Sequence, residues 1–246
     1  MTELTLPEWF FFAVVIFVSY AIRGSTGFGG VTVPLLALIM SVKTVAPMVT
    51  FLGIISSALI LAKDYRHVVW PAMWRVLPWV AAGVVTGVYF FAELDPRTLG
   101  KALGVFAIGY GVHSWWRTIK PAPERRLPMK SVTAVAGTIG GFVGSLFGAS
   151  AGMFFAMYLD VLKLAKVPFR ATVAAILFAL GIMRGTGYIW AGAFDRESLI
   201  ICAASLPVMA VGVWAGNHVH ANLDQLRFKR LVAAILILSG VPLLLR

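Results

Sequence analysis

Two stretches of this chain combine glycines with hydroxyl side chains in a way that suits anion binding by backbone. The first is Gly24-Ser25-Thr26-Gly27-Phe28-Gly29-Gly30, followed by Pro34, and the second runs from Gly144 and Ser145 through Gly148 and Ser150 to Gly152. Clustered glycine costs a helix about 1 kcal/mol per residue relative to alanine, and proline removes a backbone donor. Each stretch is therefore expected to break a helix. At such a break, helix ends present unpaired N–H groups and partial positive charge, the ordinary elements of an anion site. The candidate binding residues are Gly24, Ser25, Thr26, Gly27, Gly29 and Gly30 in the first stretch, and Ser145, Gly148, Ser150 and Gly152 in the second. No lysine follows the glycines as a nucleotide-phosphate loop requires.

Arg184 joins this set. It lies inside the apolar run from Ala171 to Ala191. A charge at such a depth costs at least about 2.5 kcal/mol unless it faces a cavity or a partner. A buried guanidinium without an evident carboxylate wants an anion. Asp160 is the one carboxylate beside an apolar run that could reach the interior, so a carboxylate proton relay has little material. Arg23 stands at the edge of the first break and reads as an interfacial anchor.

Other residues have plainer readings. Gly83 with Gly87, Gly181 with Gly185 and Gly212 with Gly216 are spaced for close helix packing, and Gly140, Gly144, Gly148 and Gly152 would share one face if their helix continued. Thr50, Ser56 and Ser57 suit backbone carbonyls, and His113 and the tryptophans at run ends suit an interfacial belt. The single Cys202 excludes an internal disulfide and a cysteine metal site. With no Ser-His-Asp order, HExxH motif or nucleotide loop, neither an enzyme nor a bound metal or cofactor is expected.

The elements that position these residues belong to a bilayer. The chain is 60% hydrophobic and 13% charged. An ordinary soluble domain is roughly 25% charged. Apolar runs such as Val45 to Ala62, Trp74 to Ala92 and Leu199 to Gly216 have the length of membrane crossings. A spanning helix needs roughly 20 residues. The net charge of +11 sits in short connections, so it reads as a topology signal and not as a nucleic-acid surface. The expected partners are the lipid bilayer and a small anion, with no nucleic acid.

The chain also repeats itself. Leu77 to Asp95 reappears as Leu206 to Asp224 at an offset of 129, with nine of nineteen positions identical, and the two glycine stretches correspond at an offset near 121. The strongest basic cluster, Arg117 to Lys130, should be cytoplasmic. Counting outward from it puts Glu93, Asp95 and Arg97 outside, Arg66 and Arg75 inside, Lys163, Lys166 and Arg170 inside, and 195–197 outside. This holds if Gly24 to Met40 and Ala149 to Leu162 each cross the membrane. The expectation is an all-α polytopic membrane protein of two inverted repeats of five spans each, with helices broken at the glycine-rich stretches. Residues 1–117 form the first repeat, 118–130 a basic cytoplasmic linker and 131–246 the second repeat, with both termini periplasmic. Duplication with matching interrupted segments points to a transporter whose site lies at the repeat interface. An anion channel, a regulatory membrane component and an intramembrane enzyme are the alternatives.

Gly24-Ser-Thr-Gly-Phe-Gly-Gly-Val-Thr-Val-Pro34-Leu35-Leu36, with its degraded copy at Gly144 to Gly152, resembles the signature of the sulfite exporter TauE/SafE family of membrane proteins. Length, duplicated halves and basic central loop are similar as well. The resemblance implies export of small sulfur-containing anions, such as sulfite, sulfonates or related organic acids, across a bacterial inner membrane.

Overall fold

A computed structural model describes residues 5–119, 128–148, 150–194, 196–218 and 225–245. They form helices and connections, with no strand among them. In chain order the α-helices are α1 (Leu6–Thr26), α2 (Thr32–Leu36), α3 (Val42–Asp64), α4 (Trp70–Glu93) and α5 (Pro96–Ile119), then α6 (Met129–Phe147), α7 (Gly152–Asp160), α8 (Lys166–Trp190), α9 (Arg196–His218) and α10 (Gln225–Leu245). Both chain ends, Ala149, Asp195, most of the basic linker and the connection before α10 lie outside the described residues.

Local chemistry sets several of the helix ends. The backbone N–H of Thr5 donates to the Glu8 carboxylate at 2.7 Å. Pro7 occupies the first turn of α1, where its missing donor is harmless. Ser41 caps α3 by accepting the Lys43 N–H at 3.2 Å. Asp95 starts α5 by accepting the N–H groups of Arg97 and Thr98 at 2.9 and 3.0 Å. At the two glycine stretches α1 stops on Gly27 (φ 88°) and α6 stops on Gly148 (φ 77°). Both glycines adopt the left-handed conformation that closes a helix cheaply only without a side chain.

Among the described residues six helices are long and apolar enough to cross a membrane, namely α1, α3 extended to His67, α4, α6, α8 and most of α9. Their outward faces, with that of α5, carry large apolar side chains, including exposed Trp9, Trp70, Trp74, Trp115, Trp116 and Trp190. The protein is a multi-pass membrane protein. The two segments read as crossings, Gly24 to Met40 and Ala149 to Leu162, are shorter in helix than expected. α2 has 5 residues and α7 has 9. A spanning helix needs roughly 20, and here the glycine breaks consume the chain on the N-terminal side of each short helix.

Packing joins the halves. α4 lies along α6, α9 along α1, α3 along α8 and α5 along α10. A Cβ at Gly83 would come within 2.2 Å of the Thr138 carbonyl, and one at Gly87 within 2.6 Å of the Phe142 carbonyl. On the other side Gly212 meets the Phe17 carbonyl at 2.8 Å and Gly216 the Ala21 carbonyl at 1.9 Å. Backbones touch at these points, so the glycines at 83, 87, 212 and 216 are packing residues, as their spacing suggests. The order of these contacts makes α4 and α6 parallel, and α1 and α9 parallel. α3 and α8 are antiparallel, since Asp64 at the end of α3 pairs with Arg170 near the start of α8. α5 and α10 are also antiparallel, with Gly104 against Gly240 and Arg230 donating to Thr118 at 3.3 Å.

A buried cationic cavity between the helix breaks

The two breaks meet in the interior. Ser150 donates from Oγ to the Gly30 carbonyl at 3.2 Å, Gly30 faces Met153, and Phe28 fills the space that a Cβ on Gly152 would need. Beside this contact lies a cavity of about 20 Å³ lined by Ser19, Tyr20 and Arg23 of α1, Gly29 and Thr32, Val49 of α3, Gly148, Ser150, Ala151 and Gly152, and Leu177 and Arg184 of α8. That volume holds about one water. No Asp or Glu is among the lining residues.

Four of the lining residues carry a buried polar atom that lacks a protein partner. Ser19 Oγ, Tyr20 Oη, Arg23 Nε and Arg184 Nε are all buried and make no hydrogen bond. Each of these groups can donate. An unsatisfied buried donor costs about 1–3 kcal/mol, more when charged, so four on residues lining one void amount to a shortage of acceptors there. The remaining hydrogen bonds fix the two arginines in place. Arg184 donates from Nη1 to the Gly144 carbonyl at 2.6 Å, and Arg23 donates from Nη2 to the Gly53 carbonyl at 3.2 Å and to Ser57 Oγ at 2.7 Å. A neighbouring bond from Tyr188 to the Ser145 carbonyl ties the last turn of α6 to α8.

Of the residues singled out from sequence, Gly29, Gly148, Ser150, Gly152 and Arg184 line the cavity. The others do not. Gly24 packs on Val213 and Gly27 on Arg170. Thr26 turns back on its own chain, donating to the Ile22 and Phe28 carbonyls at 3.0 and 2.7 Å, and Ser25 and Gly30 are outside the lining. Ser145 is fully buried behind the lining with an unpartnered Oγ.

Arg23, which reads from sequence as an anchor, instead faces the cavity and bonds to α3. Its counterpart at the offset of 121 is Gly144, whose carbonyl Arg184 takes. Thr50 and Ser56 do bond to carbonyls, those of Ala46 at 2.7 Å and Gly53 at 3.1 Å, whereas Ser57 receives Arg23. One continuous glycine face from Gly140 to Gly152 does not form, because Gly148 ends α6 and Gly152 opens α7.

Helices crossing a bilayer around a buried cationic void describe a membrane transport protein. Residues 11–243 match the family described as Sulfite exporter TauE/SafE, and the chain belongs to that family of membrane transporters. It is similar to a protein of Comamonas testosteroni described as "Probable inner membrane transporter protein TsaS", with 29% identity over 205 residues, covering 80% of this chain and 81% of that protein. No solved structure matches significantly.

Proposed function

We propose that this protein exports a small sulfur-containing anion, such as sulfite or an organic sulfonate, across a bacterial inner membrane through a site at the junction of its two helix breaks. The observation that carries the reading is that Ser19, Tyr20, Arg23 and Arg184, each with a buried donor lacking a hydrogen bond, line one cavity without a carboxylate. An oxyanion supplies the acceptors that these groups lack, and guanidinium forks suit its geometry. Ser150 and the backbone of Gly29, Gly148 and Gly152 complete the lining. The anion class itself comes from the family.

The cavity is too small for an oxyanion as it stands. Loading an anion then requires the elements around the cavity to move apart, as in a transporter that closes around its site between loading steps. The proposed architecture is a pair of inverted five-span repeats, in which the short α2 and α7 and their glycine connections make the second span of each. Three relationships support it. Thr138 and Phe142, which receive Gly83 and Gly87, stand 121 residues beyond Phe17 and Ala21, which receive Gly212 and Gly216. The C-terminal end of α1 lies by Arg170, at the start of α8, and that of α6 by Ala46, at the start of α3. Because α3 and α8 are antiparallel, α1 and α6 then point in opposite directions.

Purified protein titrated with sulfite, thiosulfate, sulfoacetate, taurine and simple carboxylates tests the reading. Saturable binding of a sulfur oxyanion, with flux of the same anion in proteoliposomes, is the expected result. Flux without saturation would indicate a channel, and turnover of the compound in detergent would indicate an enzyme.

A further inference from the structure

Arg23 and Arg184 come from different halves of the chain yet point at one place. A Cβ built on Gly53 would lie 3.8 Å from both terminal nitrogens of Arg23 and 3.9 Å from Nη2 of Arg184. The two guanidiniums therefore flank the same point, and their nearest nitrogens are no further apart than those two distances together. Gly53 has no side chain to separate them. The charged groups facing the cavity are these two cations alone among its lining residues. The acid and base pair of Asp64 with Arg170 is spent on itself at the end of the bundle.

Like charges held close in a low-dielectric interior repel, and nothing on the lining compensates them. A single negative charge leaves one of the two unmatched. A ligand carrying two negative charges leaves none. We infer that Arg23 is a second substrate-binding residue, and that with Arg184 it makes the site selective for doubly charged anions over singly charged ones of the same shape. This rests on the proposed anion site and sharpens it: a sulfonate with a second acidic group, or a fully ionised inorganic sulfur oxyanion, binds better than a simple alkylsulfonate. The geometry divides the work between the two arginines. Arg184 is fixed by the end of α6 and Arg23 by α3, so each delivers its charge from a separate helix pair and neither depends on the other for position.

The test compares anions matched in size and different in charge. Purified protein that elutes as a single species is titrated with sulfoacetate against isethionate, and with sulfate against methanesulfonate. The wild type is expected to favour the dianion of each pair by about tenfold or more, the low end for one close desolvated charge pair. Arg23→Gln should lose that preference, its affinity for the dianion falling by clearly more than its affinity for the monoanion, and Arg23→Lys should retain the preference. Equal affinity for both members of each pair in the wild type overturns the inference and needs no variant that could misfold. Proportional loss of both anions in Arg23→Gln also overturns it, since that marks a structural residue. If Arg184→Gln abolishes binding and Arg23→Gln changes nothing, the anion site stands and this inference falls. If the wild type binds none of the four anions nor any from the wider screen, the proposed site falls and takes the inference with it.

Discussion

Ser150 donates its hydroxyl hydrogen to the carbonyl of Gly30 at 3.2 Å, so the break in one half of the chain is held against the break in the other. Ser150 does this from a left-handed backbone conformation, φ 71°. That conformation costs a residue with a side chain roughly 1–2 kcal/mol. The hydroxyl offsets part of that strain.

The first prediction separates strain from contact. Ser150→Ala keeps the strained backbone and loses the bond, so its melting temperature should fall below that of the wild type. Ser150→Gly loses the bond and relieves the strain, and should melt above Ser150→Ala. Transport should drop in both if the bond holds the breaks together during the cycle. A Ser150→Gly protein with unimpaired flux would show that the contact is incidental.

Arg184 gives the second prediction. Its Nη1 supports the Gly144 carbonyl while its Nε is buried without a hydrogen-bond partner. Arg184→Lys keeps a charge but loses the fork, and should weaken anion binding moderately. Arg184→Gln should weaken it far more, by the roughly 3–5 kcal/mol expected when one member of a buried charged pair is removed. Isothermal titration on monodisperse protein reads both. Unchanged affinity in Arg184→Gln would make this residue a support for α6 and nothing else.

What can be read from the chain and what cannot divide along physical lines. Gly27 and Gly148 are legible as helix ends because clustered glycines in an apolar run have few other uses. Arg184 is legible because a charge deep in such a run is costly wherever it points. Arg23 is not, since a cation at the edge of a run is ordinary and only the fold brings it to Gly53 and Ser57, thirty and thirty-four residues away. Thr26 misleads for the opposite reason, as its hydroxyl is consumed by the loop it belongs to. The lengths of α2 and α7 are hidden because hydropathy does not distinguish a spanning helix from a short helix and a buried connection.

The third prediction contrasts two classes of glycine. A Cβ on Gly29 would lie 3.5 Å from the Ser19 carbonyl, ordinary contact distance, so Gly29→Ala should fold with a near-normal melting temperature. Its methyl nevertheless narrows the approach to a cavity of about 20 Å³. Flux should fall. A Cβ on Gly216 would lie 1.9 Å from the Ala21 carbonyl. Gly216→Ala must therefore push α1 and α9 apart, an overpacking that costs about 1–3 kcal/mol. Thermal melts with flux measurements on both variants decide, and a Gly29→Ala protein that is stable and fully active would remove Gly29 from the site.

Asp64 and Arg170 lie 3.8 Å apart and are nearly buried, and Arg170 also donates to Asn217 of α9. Three helices are thereby tied at one end of the bundle. Removing one partner leaves the other charge buried and uncompensated, an expected loss of about 3–5 kcal/mol. Asp64→Asn should therefore lower the melting temperature clearly, and the exchange of Asp64→Arg with Arg170→Asp should recover part of it. Recovery of stability without recovery of flux would show that the pair's orientation matters to the moving protein. No recovery of either would mean that the pair's own attraction contributes little.

The last prediction concerns orientation. Loop charge places the basic linker inside, and antiparallel α3 and α8 then carry their C-terminal ends to opposite faces. Arg66, just past α3, should be cytoplasmic, and Ala191, just past α8, periplasmic. Both are exposed. The single Cys202 is buried, so Cys202→Ala should give a quiet background for labelling. Into it go Arg66→Cys, Arg97→Cys, Arg117→Cys and Ala191→Cys, one at a time. A membrane-impermeant maleimide added to intact cells with a permeabilised outer membrane should label positions 97 and 191, and should reach 66 and 117 only after the inner membrane is opened. Because α3 and α8 are the third elements of their respective halves, opposite labelling of 66 and 191 is the signature of inversion. The reverse pattern at all four positions would keep the inversion and turn the protein over in the membrane. Labelling of 66 and 191 from the same side would eliminate the inverted repeat.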